Sequence, residues 1–465
     1  MPSARDAFPS ATVDLSVPRR IHVVGVGGPG MSAVAVLLAG QGHSVSGSDM
    51  NDSPVLGRLR GEGIRAEAGH DPRRIEGADY VVFSTAVPAD NAELVAAVRA
   101  GTTVVHRSDV LRAITGSVRA VGVAGTHGKT TTSALLVTML RGAGRDPGFY
   151  VGAEVLDLGT GAGTGSDGTL VIEADESDGT ADALVLGSLL LTNIDTDHLD
   201  LFVDDNGVDA GFARIVGRVP GDVVVCGDDA RAASVVRATG RHAVTYGFGP
   251  DNDAVVSRPL HGASGISFTV SFRGAVHDVG LPLRGEHNAL NCAGALVMAV
   301  LLGADPSRAA SAVAGFGGVE RRFQERGEHH GAVLVDDYAH LPAEIAAAIA
   351  GARTHPALRG RLLAVFQPNR YHRVAAMSAD YAGCFSGADT VFITDIYASG
   401  TEPIDGVTGR MVADAVRSSH TNVVWAESRD ELLDAVSSVI APGDLCISMG
   451  CGDISRFPDE LRSRA

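Results

Sequence analysis

The only lysine of this chain lies in a glycine-rich turn between a predicted strand and a predicted helix. The 465 residues include 38 Lys or Arg, and all but Lys129 are arginine. The turn follows an apolar run at 118–123 and precedes a helical pattern at 133–140. Such turns bind nucleotide phosphates through backbone N–H groups, the helix dipole and a compact ammonium that arginine does not replace. We therefore predict a phosphate loop at Gly125, Thr126, His127, Gly128, Lys129, Thr130 and Thr131. It is shorter than the usual P-loop, because Val123 stands where that pattern has a glycine.

Length and composition indicate a multidomain α/β protein. At about 150 residues per domain, the length predicts about three domains. The net charge of −17 comes from scattered acidic residues, which argues against a nucleic-acid-binding surface. The five cysteines lack metal-ligand spacing, which is typical of a reduced, cytoplasmic protein. No apolar run reaches the roughly 18 residues that span a bilayer, so we expect no stable membrane insertion.

Strand and helix patterns alternate along most of the chain, which favours parallel sheets. We predict a mobile tail at 1–18, a Rossmann-like domain at 19–117 and a central P-loop ATPase-like domain with a parallel sheet at 118–319. A second Rossmann-like domain is predicted at 320–465. The Gly/Ser/Thr-rich segment 159–168 is predicted to be a surface loop, and 255–281 a β-hairpin region.

A second glycine-rich turn follows the predicted strand at 21–24. It reads Gly-Val-Gly-Gly-Pro-Gly-Met-Ser over 25–32, and Asp49 follows the next strand. Glycines allow close approach to a pyrophosphate, and an acidic residue about 20 positions on can bind a ribose. The ligand is either a dinucleotide or a nucleotide sugar, and the alternative is a tight turn without a ligand.

Two acidic segments, 173–178 and 192–200, each follow a predicted strand. Ligands of open α/β sheets bind at the carboxyl edge, where such segments meet. A carboxylate, the Thr130 hydroxyl and an imidazole there suit Mg²⁺ beside phosphate oxygens. The alternative is a pair of solvated acidic loops.

Three further clusters carry polar side chains at helix starts or strand ends. Segment 285–291 offers His and Asn to an adenine edge, although Asn288 also suits a helix N-cap. Segments 321–342 and 366–373 pair arginines with Asp, Tyr and His. Arginines at strand ends suit carboxylates or phosphates, and the alternative is surface ion pairs.

Taken together, these motifs resemble the Mur ligase family, over about 21–454. Besides the two glycine-rich turns, the motifs that carry this resemblance include Glu-Ala-Asp-Glu-Ser-Asp-Gly, Thr-Asn-Ile-Asp-x-Asp-His-Leu-Asp, Arg-Arg-Phe-Gln, Asp-Asp-Tyr and Gly-x-Gly-Asp-Ile. The resemblance implies a first domain for a UDP-sugar, a central domain for ATP and a third for the adenosine side and the amino acid. It also implies ATP-dependent joining of L-alanine to UDP-N-acetylmuramate through an acyl phosphate, in peptidoglycan precursor synthesis.

The resemblance also implies roles for individual residues. It implies that the catalytic residues are Lys129, His198 and Arg322. It implies that the magnesium ligands are Thr130, Glu173 and His198. Besides the phosphate loop, the ATP site comprises His287, Asn288, Asn291, Arg322 and Asp337. The UDP-sugar site comprises Gly25, Gly27, Gly28, Gly30, Met31, Ser32, Asp49, Ser84, Thr85 and Arg107. The amino-acid site comprises Tyr338, Asn369, Arg370 and Arg373.

Two positions depart from the family pattern of the L-alanine-adding members. Leu341 and Asn369 each stand where those members usually have histidine. A divergent ligase for another amino acid or acceptor is therefore an alternative. Alternatives of other classes are a nucleotide-sugar oxidoreductase, suggested by the first glycine-rich turn, and a non-catalytic nucleotide-binding regulator. A monomer and a homodimer are equally compatible with the sequence.

Overall fold

Three β-sheets organise the chain. The computed structural model describes residues 8–176, 179–195 and 205–464. Contacts divide the chain into two compact units. The first comprises Met1–Ser257, Thr269–Val279 and Leu290–Gly317, and the second comprises Arg258–Phe268, Gly280–Ala289 and Gly318–Ala465.

The first sheet is wholly parallel, with the order β3-β2-β1-β4-β5 in the described part of the chain. Its strands are β1 Arg20–Val24, β2 Ser44–Asp49, β3 Arg65–Ala68, β4 Tyr80–Phe83 and β5 Thr103–His106. Its helices are α1 Pro29–Gly40, α2 Pro54–Gly61, α3 Ala92–Ala100 and α4 Arg107–Gly116, with a 3₁₀ turn at Pro72–Ile75. Strand β1 lies between β2 and β4. The chain runs from β1 through β2 to β3 at one edge of the sheet, and then from β4 to β5 at the other edge. Open α/β sheets bind ligands at such a switch point.

The second sheet has the order β14-β15-β13-β12-β11-β10-β6-β9-β7-β8 among the described residues, and β16 also pairs with β15. Its first strands are β6 Arg119–Ala124, β7 Gly148–Val155, β8 Thr160–Gly163, β9 Thr169–Glu173, β10 Ser188–Leu191 and β11 Val223–Cys226. The others are β12 Val244–Gly247, β13 Ala254–Val256, β14 Leu260–Gly262, β15 Gly265–Phe272 and β16 Ala275–Leu281. The predicted hairpin region at 255–281 is therefore confirmed.

Helices accompany this sheet along the chain. They are α5 Lys129–Gly142, α6 Thr180–Ala183, α7 Asp205–Arg218, α8 Ala230–Ala238, α9 Glu286–Leu301 and α10 Pro306–Ala312, with a 3₁₀ turn at Val313–Gly315. Strands β6 and β10 are buried almost throughout. Parallel strands covered on both faces have such continuous apolar runs.

The third sheet has the order β17-β18-β22-β19-β20-β21 in the described residues, and only the β17–β18 pair is antiparallel. Its strands are β17 Gln324–His329, β18 Ala332–Asp337, β19 Leu362–Phe366, β20 Thr390–Thr394, β21 Val423–Ala426 and β22 Leu445–Met449. Its helices are α11 Pro342–Arg353, α12 Tyr371–Met377, α13 Arg410–Arg417, α14 Arg429–Ser437 and α15 Phe457–Arg462, with 3₁₀ turns at Ser378–Tyr381 and Asp453–Arg456. The predicted three-domain α/β fold is thus present.

Two predicted irregular segments differ from the structure. Residues 8–18 pack on the first domain instead of forming a separate tail, since Val13 is buried and Ser10 donates a hydrogen bond to Asp109. The segment 159–168 contains strand β8, which pairs antiparallel with β7. Its glycines gave no strand pattern, yet Gly161 allows close backbone packing, because an added Cβ would lie 2.8 Å from the Ala153 carbonyl oxygen.

No helix in the described part of the chain is both long and apolar enough to cross a membrane. All five cysteines lie within that part, and none forms a disulfide.

Candidate active site

The phosphate loop joins β6 to α5, and its glycines have backbone conformations that L side chains rarely adopt. Gly125 has φ +130° and Gly128 has φ +79°. A Cβ at Gly125 would lie 2.1 Å from the Thr192 hydroxyl oxygen, and one at Gly128 would lie 2.5 Å from the Asn291 Oδ1. Glycine is therefore required at both positions for conformational and steric reasons.

The segment after β10 braces this loop. The Thr192 hydroxyl donates to the His127 carbonyl at 2.7 Å, and the His127 N–H donates to Asn193 Oδ1 at 2.8 Å. The Asp195 N–H donates to the Thr126 hydroxyl at 2.8 Å. Strands β6 and β10 are parallel neighbours, so their carboxyl ends lie side by side as predicted. His198 lies outside the described residues.

Lys129 is the first residue of α5 and is only 8% exposed. Its Nζ donates to the Gly125 carbonyl at 2.7 Å and to both carboxylate oxygens of Glu176 at 3.0 Å. Burial would lower the pKa of Lys129, but Glu176, Asp175 and Glu173 outweigh burial and hold that pKa above its usual value. The lysine is therefore a permanent cation inside the loop.

Thr130 and Glu173 are brought together as the magnesium prediction requires. The Thr130 hydroxyl donates to Glu173 Oε1 at 3.2 Å, and the Gly152 N–H of β7 donates to Glu173 Oε2 at 2.8 Å. In the described residues no group of three or more His, Cys, Asp or Glu is arranged for a metal. A hydroxyl and one carboxylate nevertheless fit Mg²⁺, which takes few protein ligands and completes its shell with phosphate oxygens and water.

The first glycine-rich turn lies at the carboxyl edge of the first sheet. The Gly25 and Val26 N–H groups both donate to the Ser48 carbonyl, at 2.8 and 2.9 Å, and the Gly27 N–H donates to Asp49 Oδ2 at 2.9 Å. The other predicted UDP-sugar residues occupy the same edge or the start of α1. Gly28 caps α1, which contains Gly30, Met31 and Ser32; Ser84 and Thr85 follow β4, and Arg107 follows β5.

Side chains from two neighbouring elements approach this turn at Gly30. A Cβ on Gly30 would lie 2.0 Å from an Arg107 guanidinium nitrogen and 3.0 Å from the Tyr150 hydroxyl. That hydroxyl donates to the Gly30 carbonyl at 3.3 Å. Met31, by contrast, is 3% exposed and belongs to the core, so only its backbone is available to a ligand.

In the second unit, predicted residues cluster at the end of β18. The Phe323 and Ala339 N–H groups donate to the Asp337 carboxylate, each at 2.7 Å. Burial raises the pKa of Asp337 from 3.8 to about 6, although Arg322 opposes the rise. The Arg322 guanidinium stacks 5.0 Å from the centre of the Tyr338 ring.

Family models match in the same order as the three sheets. The Mur ligase family catalytic domain matches residues 20–119, the Mur ligase middle domain 123–299 and the Mur ligase glutamate ligase domain 321–452. The chain belongs to the Mur ligase family.

Relatives and a solved structure resemble this Mur ligase over nearly its full length. It is 40% identical to the UDP-N-acetylmuramate–L-alanine ligase of Nitratidesulfovibrio vulgaris strain DP4, covering 94% of this chain and 97% of the relative. It is 38% identical to the enzyme of that name from Rubrobacter xylanophilus, covering 96% and 100%. The crystal structure of UDP-N-acetylmuramate-alanine ligase from Thermotoga maritima has a TM-score of 0.78 and 25% identity, covering 96% and 99%.

The two positions that depart from the family pattern are both buried in this Mur ligase. Asn369 is 3% exposed, and its Oδ1 accepts from the Arg373 guanidinium at 2.9 Å. Arg370, between β19 and α12, has φ +62° and donates its N–H to the Tyr397 carbonyl. Leu341 precedes α11 and is 4% exposed, so it contributes an apolar side chain to the interior.

The three predicted adenine-site residues share the first turns of α9. Asn288 is 8% exposed, and its Nδ2 donates to the Arg284 carbonyl at 2.8 Å, whereas His287 is exposed. Asn291 lies against Gly128 of the phosphate loop, as the close approach to its side chain shows. Helix α9 begins at Glu286, so the polar motif lies at a helix start as predicted.

Two residues of the site were not predicted as such. Glu176 belongs to a recognised acidic motif, but its spacing alone does not show that it pairs with Lys129. Tyr150 had no signal at all, because its contact is with a residue 120 positions earlier.

Proposed function

We propose that this Mur ligase uses ATP to join L-alanine to UDP-N-acetylmuramate, forming an amide during peptidoglycan precursor synthesis. The similarity to the relatives named for that reaction supports the substrates. The cytoplasm, where ATP and nucleotide sugars are available, is the proposed location.

The observation that carries this proposal is the position of β7 between the two phosphate-binding turns. The Tyr150 hydroxyl contacts Gly30 of the first turn, while the Gly152 N–H binds Glu173, which contacts Thr130 beside the phosphate loop. Tyr150 and Gly152 are two residues apart, about 7 Å along a strand. A sugar diphosphate and a nucleoside triphosphate bound at these turns would thus share one wall. An oxidoreductase needs only the first turn.

The reaction has two displacements. A lactyl carboxylate oxygen attacks the γ-phosphorus of ATP, and the bond to the bridging oxygen breaks, releasing ADP. The amino nitrogen of L-alanine then attacks the acyl carbon and loses a proton, and inorganic phosphate leaves with the electron pair of the C–O bond. Both the nucleophile and ATP are anionic in the first step, so fixed positive charge is needed there.

Lys129 and the N–H groups of its loop would supply that charge. The Lys129 ammonium would exchange contacts with Glu176 for contacts with the transferring phosphoryl group. Thr130 and Glu173 would hold Mg²⁺, which when bound offsets charge on the phosphate oxygens. His198 is the proposed ligand of a second ion, and Arg322 a further source of positive charge.

The second unit would bind the other reactants. Asp337 would accept hydrogen bonds from ribose hydroxyls, and Arg370 and Arg373 would hold the amino-acid carboxylate near Tyr338. The Asn369–Arg373 hydrogen bond fixes one of these guanidiniums. Asparagine at position 369, where the L-alanine-adding members usually have histidine, would therefore still provide a hydrogen-bond acceptor for Arg373.

Phosphate release with UDP-N-acetylmuramate and a panel of amino acids tests the function. We expect ADP and phosphate formation that requires ATP, Mg²⁺ and the UDP-sugar together, with the highest kcat/KM for L-alanine. A preference for another amino acid would support the divergent ligase. A change in NAD(P)H absorbance without ATP consumption would support the oxidoreductase.

A further inference from the structure

A fully buried carboxylate lies behind the first glycine-rich turn. Glu93 of α3 is 0% exposed. Its Oε2 accepts from the Ser48 hydroxyl at 2.5 Å and lies 3.1 Å from His70 Nδ1. Its Oε1 accepts from the Asp71 N–H at 3.0 Å. Glu93 thus ties α3 to β2 and to the segment after β3.

The residue that Glu93 holds is also the one that supports the turn. The Ser48 carbonyl accepts from the N–H groups of both Gly25 and Val26, and the next side chain, Asp49, accepts from Gly27. Three successive amides of the turn are therefore held by Ser48 and Asp49. Any displacement of Ser48 would move the backbone that faces a pyrophosphate.

Packing alone does not explain a carboxylate at this position. A buried charge costs several kcal/mol unless it is paired and hydrogen-bonded. Burial opposes ionisation, but His22 and the hydrogen bond from Ser48 lower the pKa of Glu93 to about 2. His22 Nε2 lies 3.6 Å from the carboxylate. A buried carboxylate that accepts several hydrogen bonds holds its donors in one geometry.

We propose that Glu93 is a positioning residue for the sugar nucleotide, acting through Ser48 on the amides of the first glycine-rich turn. Glu93 touches neither phosphate nor sugar. The inference rests on the proposed function for the identity of the ligand, but the link from Glu93 to the turn is independent of it.

Two measurements on Glu93→Gln separate these parts. Hydrogen–deuterium exchange of the segment 20–31 in the ligand-free enzyme should become about tenfold faster at Gly25 and Val26, the equivalent of one lost hydrogen bond to a charged group. The KM for UDP-N-acetylmuramate should rise about tenfold for the same reason, while kcat and the KM for ATP stay within about twofold.

Leu94→Ala is the matched control. Leu94 is the next residue of α3, is 0% exposed and packs in the apolar cluster on the side of Val81 and Phe83, without a hydrogen bond to Ser48. It should lower the Tm at least as much as Glu93→Gln, because it leaves a cavity of several methylenes. The amide exchange rates of Gly25 and Val26 in Leu94→Ala should match those of the parent, when each protein is measured at the same number of degrees below its own Tm.

Ser48→Ala keeps the backbone carbonyl but removes the hydroxyl that meets Glu93, so it should reproduce part of the effect and decides the matter if Glu93→Gln does not fold. Unchanged exchange at Gly25 and Val26 in both variants, or an equal change in Leu94→Ala, would overturn the positioning role. Failure of the parent enzyme to use UDP-N-acetylmuramate would overturn the proposed function. The exchange rates at Gly25 and Val26 would still test whether Glu93 positions the turn.

Discussion

The Lys129 ammonium lies 3.0 Å from both carboxylate oxygens of Glu176, and the two side chains are almost wholly buried. The cation of the phosphate loop therefore has a buried anionic partner in the segment that follows β9. A phosphate group at the loop would compete with Glu176 for the same ammonium.

Glu176→Gln should destabilise the ligand-free enzyme, because it leaves the buried Lys129 charge without its main partner. We expect a loss of about 3 kcal/mol in the free energy of unfolding. Saturating ATP and Mg²⁺ should recover more Tm in the variant than in the parent, since phosphate would replace the lost charge. Asp175→Asn is the control: its carboxylate is 3.9 Å from Nζ and more exposed, so it should cost under about 1 kcal/mol. Equal losses in both variants would contradict a specific Lys129–Glu176 pair.

Lys129→Arg should abolish most activity although the charge is kept. Nζ donates to the Gly125 carbonyl at 2.7 Å inside the loop, and the broader, planar guanidinium does not reproduce the contacts of a compact ammonium. We expect kcat/KM to fall by at least about 100-fold, as when a major transition-state contact is lost. Phosphate-release kinetics would measure this, with far-UV circular dichroism to verify folding. Activity within a few-fold of the parent would remove Lys129 from its proposed role.

Glu173→Ala should raise the Mg²⁺ concentration needed for half-maximal activity by about tenfold, because it removes the carboxylate among the proposed ligands. UDP-sugar affinity should stay within about twofold of the parent, because Glu173 is not a proposed contact of the sugar nucleotide. Glu154→Ala provides a control, since Glu154 is a neighbouring carboxylate on β7 that pairs with Arg58 instead. A metal titration identical to that of the parent would place the ion elsewhere.

Asn369→Ala should raise the KM for L-alanine about tenfold, since Arg373 loses the acceptor that orients it. Asn369→His should be milder, because an imidazole nitrogen can also accept a hydrogen bond. The measurement is kcat/KM across glycine, alanine, serine and larger amino acids. If both variants keep the parental KM and preference, Asn369 has no part in amino-acid binding.

The KM for ATP should rise as the pH falls through about 6. Burial raises the pKa of Asp337 to about 6, so acid protonates the carboxylate proposed to accept ribose hydroxyls. For stability the sign is opposite: the folded pKa exceeds the ordinary 3.8, so the Asp337 contribution to stability is greatest at low pH and declines between about pH 4 and 6. In Asp337→Asn the inflection in KM near pH 6 should disappear. An inflection that persists in this variant would belong to another group.

The strongly apolar elements could be predicted from sequence almost to the residue. The apolar runs at 103–106, 362–366 and 390–394 predict strands, and β5, β19 and β20 have the same bounds. The short strand β3 gave no signal, because Arg65–Ala68 is half-exposed and polar. Helical patterns in the sequence start at 31 and 133, whereas α1 and α5 begin at Pro29 and Lys129, because the ends of the glycine-rich turns already form the first helical turn.

The contacts within the candidate site also include some that the sequence predicts and others that it does not. The adjacency of the phosphate loop and the segment after β10 follows from two strands whose carboxyl ends share an edge. The pairing of Lys129 with Glu176 and the approach of Tyr150 to Gly30 depend on side-chain positions that no local pattern encodes. The sequence does not indicate a buried role for Glu93, because a glutamate at the start of a helix ordinarily suits solvent and the helix dipole.

The solitary lysine makes the phosphate loop a natural target for proteolysis. A lysine-specific endoprotease has one bond to cut in the entire chain, between Lys129 and Thr130. That bond joins the first two residues of α5, and Lys129 is only 8% exposed. Cleavage therefore requires local unfolding of the loop, so the rate at which the intact chain disappears reports how often that loop opens. Nucleotide binding can thus be followed in the native chain without a label, through protection of a single peptide bond.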